Sequence, residues 1–299
     1  MVGAITAGDL FLDGDNVLTI LRLSAALGVV AVGMTFVVTG GGIDLSVGAV
    51  VALSSVWATT VATQELAAST HWTVLVLAAV AVGAGAGLVN GVLVAYGKVV
   101  AFIATLAMLV AARGLAEQIS DNRNQSASDL EGLFTFFRTK PLGIDMIIWV
   151  FVVVAVVGWV LLNRTTFGRR TFAVGGNPEA ARLAGINVKR HTVLLYVLVG
   201  VCSGIAAVMF IARTTTGSSS HGELMELDAI AAVVIGGTLL AGGRGTIAGT
   251  VLGVLIFSTL TNVFTLNNRP PSEQDLLKGA VIVAAVLLQQ WVASRKRST

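Results

Sequence analysis

The distribution of charge constrains this chain more than any other feature. Apolar stretches long enough to cross a bilayer follow one another with almost no charge inside them. The apolar-flanked exception is 163–191, NRTTFGRRTFAVGGNPEAARLAGINVKRH, which holds six of the nineteen Lys and Arg residues. Hydrocarbon excludes charge, and basic loops collect on the cytoplasmic side of a membrane. The pattern describes an integral membrane protein with one large basic cytoplasmic loop, Asn163 to His191, where a cytoplasmic partner would dock.

Composition points the same way. The chain is 55% hydrophobic and 12% charged, with a mean hydropathy of +0.87, against roughly 25% charged residues in a soluble protein. No stretch of the 299 residues is polar enough to form a separate soluble domain, so 1–299 reads as a single transmembrane domain with the loop 163–191 inside it. A span needs about 20 mostly apolar residues. Nine stretches qualify as candidates: 17–39, 45–63, 72–96, 99–119, 144–162, 192–212, 227–240, 247–264 and 276–293. The expected fold is an all-α polytopic helix bundle. The seventh stretch is short and broken by glycine, so it reads either as a half-helix or as one piece with the eighth.

Alternation across these spans sorts the charges. With 163–191 inside, Lys98, Arg244 and the tail Arg295, Lys296 and Arg297 also fall inside, giving that side eleven Lys/Arg and two acids, Asp44 and Glu179. The other side holds eight Lys/Arg and fourteen acids. The Lys/Arg bias is the informative quantity, and it puts the carboxyl terminus in the cytoplasm. The acidic start of the chain has no basic n-region and no small-residue cleavage site, so it is not a signal peptide. Alternation places it outside, an arrangement explained most simply by an upstream span missing from this reading of the gene. The pI near 9.4 does not signal nucleic acid, because the basic residues sit in loops between spans.

Several motifs interrupt the apolar background. In Gly40-Gly41-Gly42-Ile43-Asp44-Leu45-Ser46, the glycines permit a tight turn, and Asp44 is placed to cap the next helix by accepting backbone N–H bonds. A charge at a membrane span is also a functional candidate. Asn90 must find a partner in hydrocarbon, as helix glue or as cavity lining. Gly83, Gly87 and Gly91, and again Gly245, Gly249 and Gly253, repeat every four residues and let a second helix approach closely. Arg113 and Glu117 have the spacing of an ion pair on one helix face. Gly236-Gly237 and Gly242-Gly243 predict a broken helix, which at membrane depth is tolerated only where it is buried or lines a cavity. Gly217-Ser218-Ser219-Ser220-His221-Gly222 reads as an exposed outer loop from its turn-forming composition. In the basic loop, Asn177 can cap, Pro178 suits the first helical position and Gly185 can close the end, which predicts a short helix outside the membrane.

Catalytic chemistry finds no support. There is no P-loop, no H-E-x-x-H and no G-x-S-x-G elbow. His71, His191 and His221 stand apart in sequence, so no metal site is expected, and the single cysteine, Cys202, excludes an intrachain disulfide.

Taken together, these blocks resemble the permease subunits of ATP-binding-cassette sugar importers of the ribose/xylose type. The resemblance rests on GGIDLSVG (41–48), Asn90-Gly91, the run 102–106 with Arg113-Gly114, the run 227–238 with Ala241-Gly242-Gly243, and GGNPEAARLAGI (175–186). It implies two permease copies or paralogues in the membrane, two cytoplasmic ATPase subunits carrying the ATP and Mg²⁺, an extracytoplasmic sugar-binding protein, and lipid around the bundle. This chain itself would hold no cofactor. The family usually has ten spans and a cytoplasmic amino terminus, so this chain is expected to lack the first. The coupling segment would be Asn177, Pro178, Glu179, Ala180, Ala181, Arg182, Gly185 and Ile186, with Glu179, Ala180, Ala181 and Gly185 at its centre. Asp44, Asn90, Phe102, Thr105, Gly236 and Gly237 are candidates for the translocation path. The competing readings are a stand-alone secondary transporter or channel for a small polar solute, which favours inverted repeats or a titratable group deep in a span, and a membrane-embedded enzyme, which needs converging His, Asp or Glu.

Overall fold

The computed structural model describes residues 13–127 and 131–270, and beyond them 272–274, 276–281, 283 and 287. The elements run α1 (Gly14–Thr39), α2 (Val47–Ala58), α3 (Val61–Ser69), α4 (Thr73–Ala95), α5 (Ala101–Ser120), β1 (Gln125–Ser126), α6 (Glu131–Arg138), α7 (Met146–Arg164), α8 (Thr166–Gly176), α9 (Pro178–Leu183), α10 (Val188–Thr214), β2 (Thr216–Gly217), α11 (Met225–Ile235) and α12 (Ile247–Leu266). Among the described residues the chain forms a helix bundle with one two-residue antiparallel ladder, Gln125 opposite Gly217 and Ser126 opposite Thr216.

Six described helices, α1, α4, α5, α7, α10 and α12, are long and apolar enough to span, and a seventh span arises if the bent pair α2 and α3 counts as one. The expectation of nine is therefore not supported. The stretch 45–63 is two helices meeting at 58°. The stretch 227–240 becomes α11, whose eleven residues reach about 16 Å at 1.5 Å per residue, about half of a 30 Å hydrocarbon core. The ninth candidate, 276–293, and the start of the chain lie mostly outside the described residues.

The core forms around α1 and α10, the two helices with the most buried spans. Phe36, Met34, Tyr196, Met209 and Phe257 are all but fully enclosed there. Helices α4 and α10 touch along a glycine seam. A Cβ on Gly83 would stand 2.2 Å from the Gly200 carbonyl oxygen, and one on Gly87 would stand 2.2 Å from that of Tyr196. The four-residue ladder thus does what its spacing predicts, bringing two backbones into van der Waals contact. In the second ladder Gly249 and Gly253 press on α11 in the same way, whereas Gly245 precedes α12 and packs on Thr39 and Thr238.

Loops gather at two ends. At one end Thr39 meets Gly175 and Gly243, and Lys189 lies over the Tyr96 ring at 5.3 Å. At the other end Asn262 donates to Asn16 at 2.9 Å, Arg22 pairs with Asp145, and Gln64 donates to the Ser126 carbonyl at 2.9 Å. Burial raises the Asp145 carboxyl, but the bonds from Arg22 and Lys140 outweigh it and hold the group below the usual carboxylate range.

Candidate functional site

The basic loop is built as two consecutive helices. Thr165 starts α8, its hydroxyl accepting from Gly168 N–H, and Asn177 starts α9, its side chain accepting from Ala180 N–H at 3.0 Å. Pro178 occupies the first turn of α9, and Gly185 follows it at φ +83°, a left-handed conformation that glycine adopts without strain. Glu179 and Arg182 pair on the solvent face at 2.6 Å. The Arg182 hydrogen bond and charge keep the Glu179 carboxyl below its ordinary pKa and raise that of Arg182. Pro178, Ala180, Leu183 and Ala184 are exposed around this pair, Leu183 at 75%. Ala181 does not belong to that surface: it is 4% exposed and faces the body of the protein, with Ile186 half-buried beside it. Leu183, within the 177–186 segment that the sequence reading expects to dock, belongs to this exposed surface.

The pair α8 and α9 is seated on the bundle through a junction of three chain breaks. Gly175 packs so closely that a Cβ there would lie 1.8 Å from the Thr39 carbonyl oxygen. Gly243 N–H donates to that same oxygen at 2.8 Å. Phe167 of α8 contacts Phe36 of α1, with ring centroids 6.0 Å apart, and His191 at 4.7 Å. Thr171 hydrogen-bonds His191 Nε2 at 3.0 Å. These contacts join α8 to the end of α1 and to the irregular stretch between α11 and α12.

A second constellation surrounds the N-terminal end of α2. Asp44 is 2% exposed, and its Oδ1 accepts from Ser46 N–H at 2.8 Å and from Ser46 Oγ at 2.6 Å. Asn90 donates to the same Ser46 hydroxyl at 2.9 Å, while its own Oδ1 is buried without a partner. Two of the path candidates, Asp44 and Asn90, therefore meet through Ser46. Buried Glu226 lies near the same helix start: its Oε2, buried without a hydrogen-bond partner, is 2.4 Å from where a Cβ on Gly48 would be. Free N–H groups at a helix N-terminus favour such carboxylates.

The stretch 217–222 is not the exposed outer loop that its composition suggests. Gly217, Ser218, His221 and Gly222 are buried. The segment runs along α2 from Thr59, which a Cβ on Gly217 would strike, down to Gly48, whose oxygen lies 2.7 Å from a Cβ on Gly222. Ser55 Oγ donates to the Ser218 carbonyl at 3.2 Å and lies 3.2 Å from His221 Nδ1. Arg113 donates to the Ser219 carbonyl and, at 3.1 Å, to that of His221, instead of forming an ion pair with Glu117. Irregular backbone has re-entered the bundle, and α11 starts from its tip. Its serines and His221 satisfy buried groups on the helix beside it.

The remaining candidates fall elsewhere. Phe102 is 47% exposed on the outside of α5, and Thr105, fully buried, bonds to the Ala101 carbonyl of its own helix. Gly236 and Gly237 end α11, the second at φ +87°, with Gly236 against Gly249. The sequence reading missed Ser46, the buried role of Glu226 and the tie from Arg113. Glu226 had one signal, an acid opening an apolar run too short to span.

The family described as "Branched-chain amino acid transport system / permease component" matches residues 16–286. The ribose import permease protein RbsC of Bacillus subtilis (strain 168) is 43% identical over 281 residues, 94% of this chain and 86% of the relative. RbsC of Escherichia coli (strain K12) is 40% identical over 277 residues, 92% and 85% of the two chains. The L-arabinose ABC transporter permease protein AraH of Azospirillum brasilense is 39% identical over 289 residues, 96% and 84%. No solved structure gives a significant match. The chain therefore belongs to this permease-component family, as a multi-pass membrane transport subunit and not an enzyme.

Proposed function

We propose that the chain is the membrane-spanning subunit of an ATP-driven importer that carries a monosaccharide of pentose or hexose size into the cytoplasm. A separate ATPase would dock on α9, and an extracytoplasmic binding protein would deliver sugar at the opposite end of the bundle, where Arg22, Asp145 and the β1–β2 ladder lie. A second copy or a paralogue completes the membrane unit. The observation that carries this reading is near-full-length identity to permeases named for ribose and arabinose. The exposed Glu179–Arg182 helix supports the docking assignment, since an exposed face built on a rigid junction suits a partner's cleft. The Lys/Arg bias of 163–191, Lys98 and Arg244 supports a cytoplasmic position for that end.

Co-purification in mild detergent tests the docking claim. The parent protein should bring down a P-loop ATPase, and Glu179→Arg should lose it while keeping the same elution profile, because Glu179 is 67% exposed on its side chain and holds nothing in the core. A parent that purifies without an ATPase and moves solute without ATP contradicts the proposal and favours a secondary transporter.

A further inference from the structure

The end of the bundle that carries the basic loop has a corner where bases and bare apolar surface meet. Helix α4 ends there before Tyr96, α5 begins after Val100, and the first turn of α10 lies alongside. Lys189 Nζ stands over the Tyr96 ring, 5.3 Å from its centroid. Lys98 lies in the turn between α4 and α5 at φ +55°, a left-handed conformation that is costly for lysine and free for glycine. Tyr96, Lys98, Lys189 and Arg190 are all exposed. Among the described residues none of these three bases forms an ion pair. The two acids that alternation assigns to this end are already engaged, Asp44 buried against Ser46 and Glu179 paired with Arg182. An exposed apolar face runs along the helices from this corner. On α4 it includes Val89, Val92 and Leu93, and on α5 Phe102, Ile103 and Leu106, each 38–54% exposed. Steps of three and four residues keep each set on one side of its helix. Such a face belongs in hydrocarbon, so the corner falls where acyl chains give way to headgroups, the level that tyrosine and snorkelling lysine favour.

We propose that Tyr96, Lys98 and Lys189, with Arg190 beside them, bind the headgroup phosphate of an anionic phospholipid whose acyl chains lie on the α4–α5 face. Charge selects the lipid. A zwitterionic headgroup brings a cation of its own to a corner that already holds three without a carboxylate. Phosphatidylglycerol brings the phosphate and hydroxyls alone. Each ammonium group carries three donors, and charge-assisted bonds to phosphate oxygens are the stronger kind. Basic pockets between helices at the membrane surface hold such headgroups. Continuity selects lipid over a soluble protein, because the exposed apolar face leads directly to the bases. The helix proposed to meet the ATPase, α9, is a separate surface with its own acid–base pair. This inference goes beyond the importer reading and does not depend on what the chain carries.

Native mass spectrometry of the full-length chain, titrated in detergent with phosphatidylglycerol or phosphatidylcholine, measures the affinity for each. Phosphatidylglycerol should bind more tightly, and Lys98→Asn and Lys189→Gln should each weaken it about fivefold, the effect of one base near a charged membrane surface. Asparagine tolerates the left-handed turn well, so a loss at Lys98→Asn does not reflect a strained fold. The double variant Lys98→Arg with Lys189→Arg, which keeps both charges, should keep the preference. Arg123→Gln with Arg138→Gln, which removes two exposed bases elsewhere, should leave it unchanged. Phosphatidylglycerol carrying a diazirine in its headgroup should cross-link to 92–100 and 187–194. Equal affinity for the two lipids overturns the proposal, as does a preference that Lys98→Asn and Lys189→Gln leave intact. Displacement of the lipid by an equal concentration of inorganic phosphate overturns it in favour of a plain anion site. Loss of the cross-link when the ATPase binds, or when two copies of the chain associate, overturns it in favour of a protein interface.

Discussion

Gly175 has no room for a side chain. Its Cβ would overlap the Thr39 carbonyl, a backbone atom that cannot rotate away, and would also come within 2.7 Å of Gly243 N. Gly175→Ala should therefore destabilise the protein by about 1–3 kcal/mol, the usual cost of forcing an atom into a packed interior. Gly176→Ala, one residue on with open space at its Cβ position, should leave stability nearly unchanged. Thermal unfolding of both variants in the same detergent checks the pair, and equal losses would contradict the packing account. Glu179 makes a second prediction at this scale. Its pKa is depressed by Arg182, so the carboxylate persists to pH values below its ordinary titration range. Its contribution to ATPase docking should be full at neutral pH and be lost only as pH falls through the depressed value. Docking measured by surface plasmon resonance should show no Glu179-dependent change across neutral pH. A change there would assign the contact to another group.

The re-entrant segment is the element on which a reading of composition and one of contacts diverge most. Serine and glycine in 217–222 signal a turn on the surface, since nothing in a single sequence reports that Ser55 and Arg113 stand ready to satisfy the backbone and side chains of that turn. The partners lie over a hundred residues away, and hydrogen-bonding capacity looks the same whether water or protein supplies it. Asp44 and Asn90 were legible because each is a polar group inside an apolar run. Their meeting through Ser46 was not, because it depends on the crossing of α2 and α4. Removing Arg113 should release the segment. Arg113→Leu leaves two partly buried carbonyls short of a charged donor, at a cost of about 1.5–3 kcal/mol, and should raise hydrogen exchange in 217–224 above that in α10. Unchanged exchange would show that the segment is held by α2 alone. Gly48→Ala strikes the Gly222 carbonyl at 2.2 Å and should disturb the same segment, whereas Gly114→Ala has open space and should be neutral or gain about 0.5–1 kcal/mol from helix propensity.

On the scale of the whole molecule, hydropathy located the helices and misjudged their reach. Long runs such as 17–39 and 192–212 correspond to α1 and α10, because a span must satisfy its own backbone and keep its apolar surface continuous. Runs 45–63 and 227–240 are equally apolar yet bent or short, since packing inside the bundle rewards apolar side chains whether or not the helix crosses. The junction of Gly175, Thr39 and Gly243 links α8 and α9 to both interruptions, the turn before α2 and the one after α11. Under the proposed importer reading, that linkage would connect α9 to the broken helices through close backbone contacts. The decisive measurement is uptake of labelled D-ribose and L-arabinose by proteoliposomes containing the chain with its ATPase and binding protein, with ATP or a non-hydrolysable analogue enclosed on the ATPase side. The account predicts accumulation with ATP, none with the analogue, and none with Glu179→Arg. Accumulation that follows an imposed ion gradient and ignores ATP would contradict it.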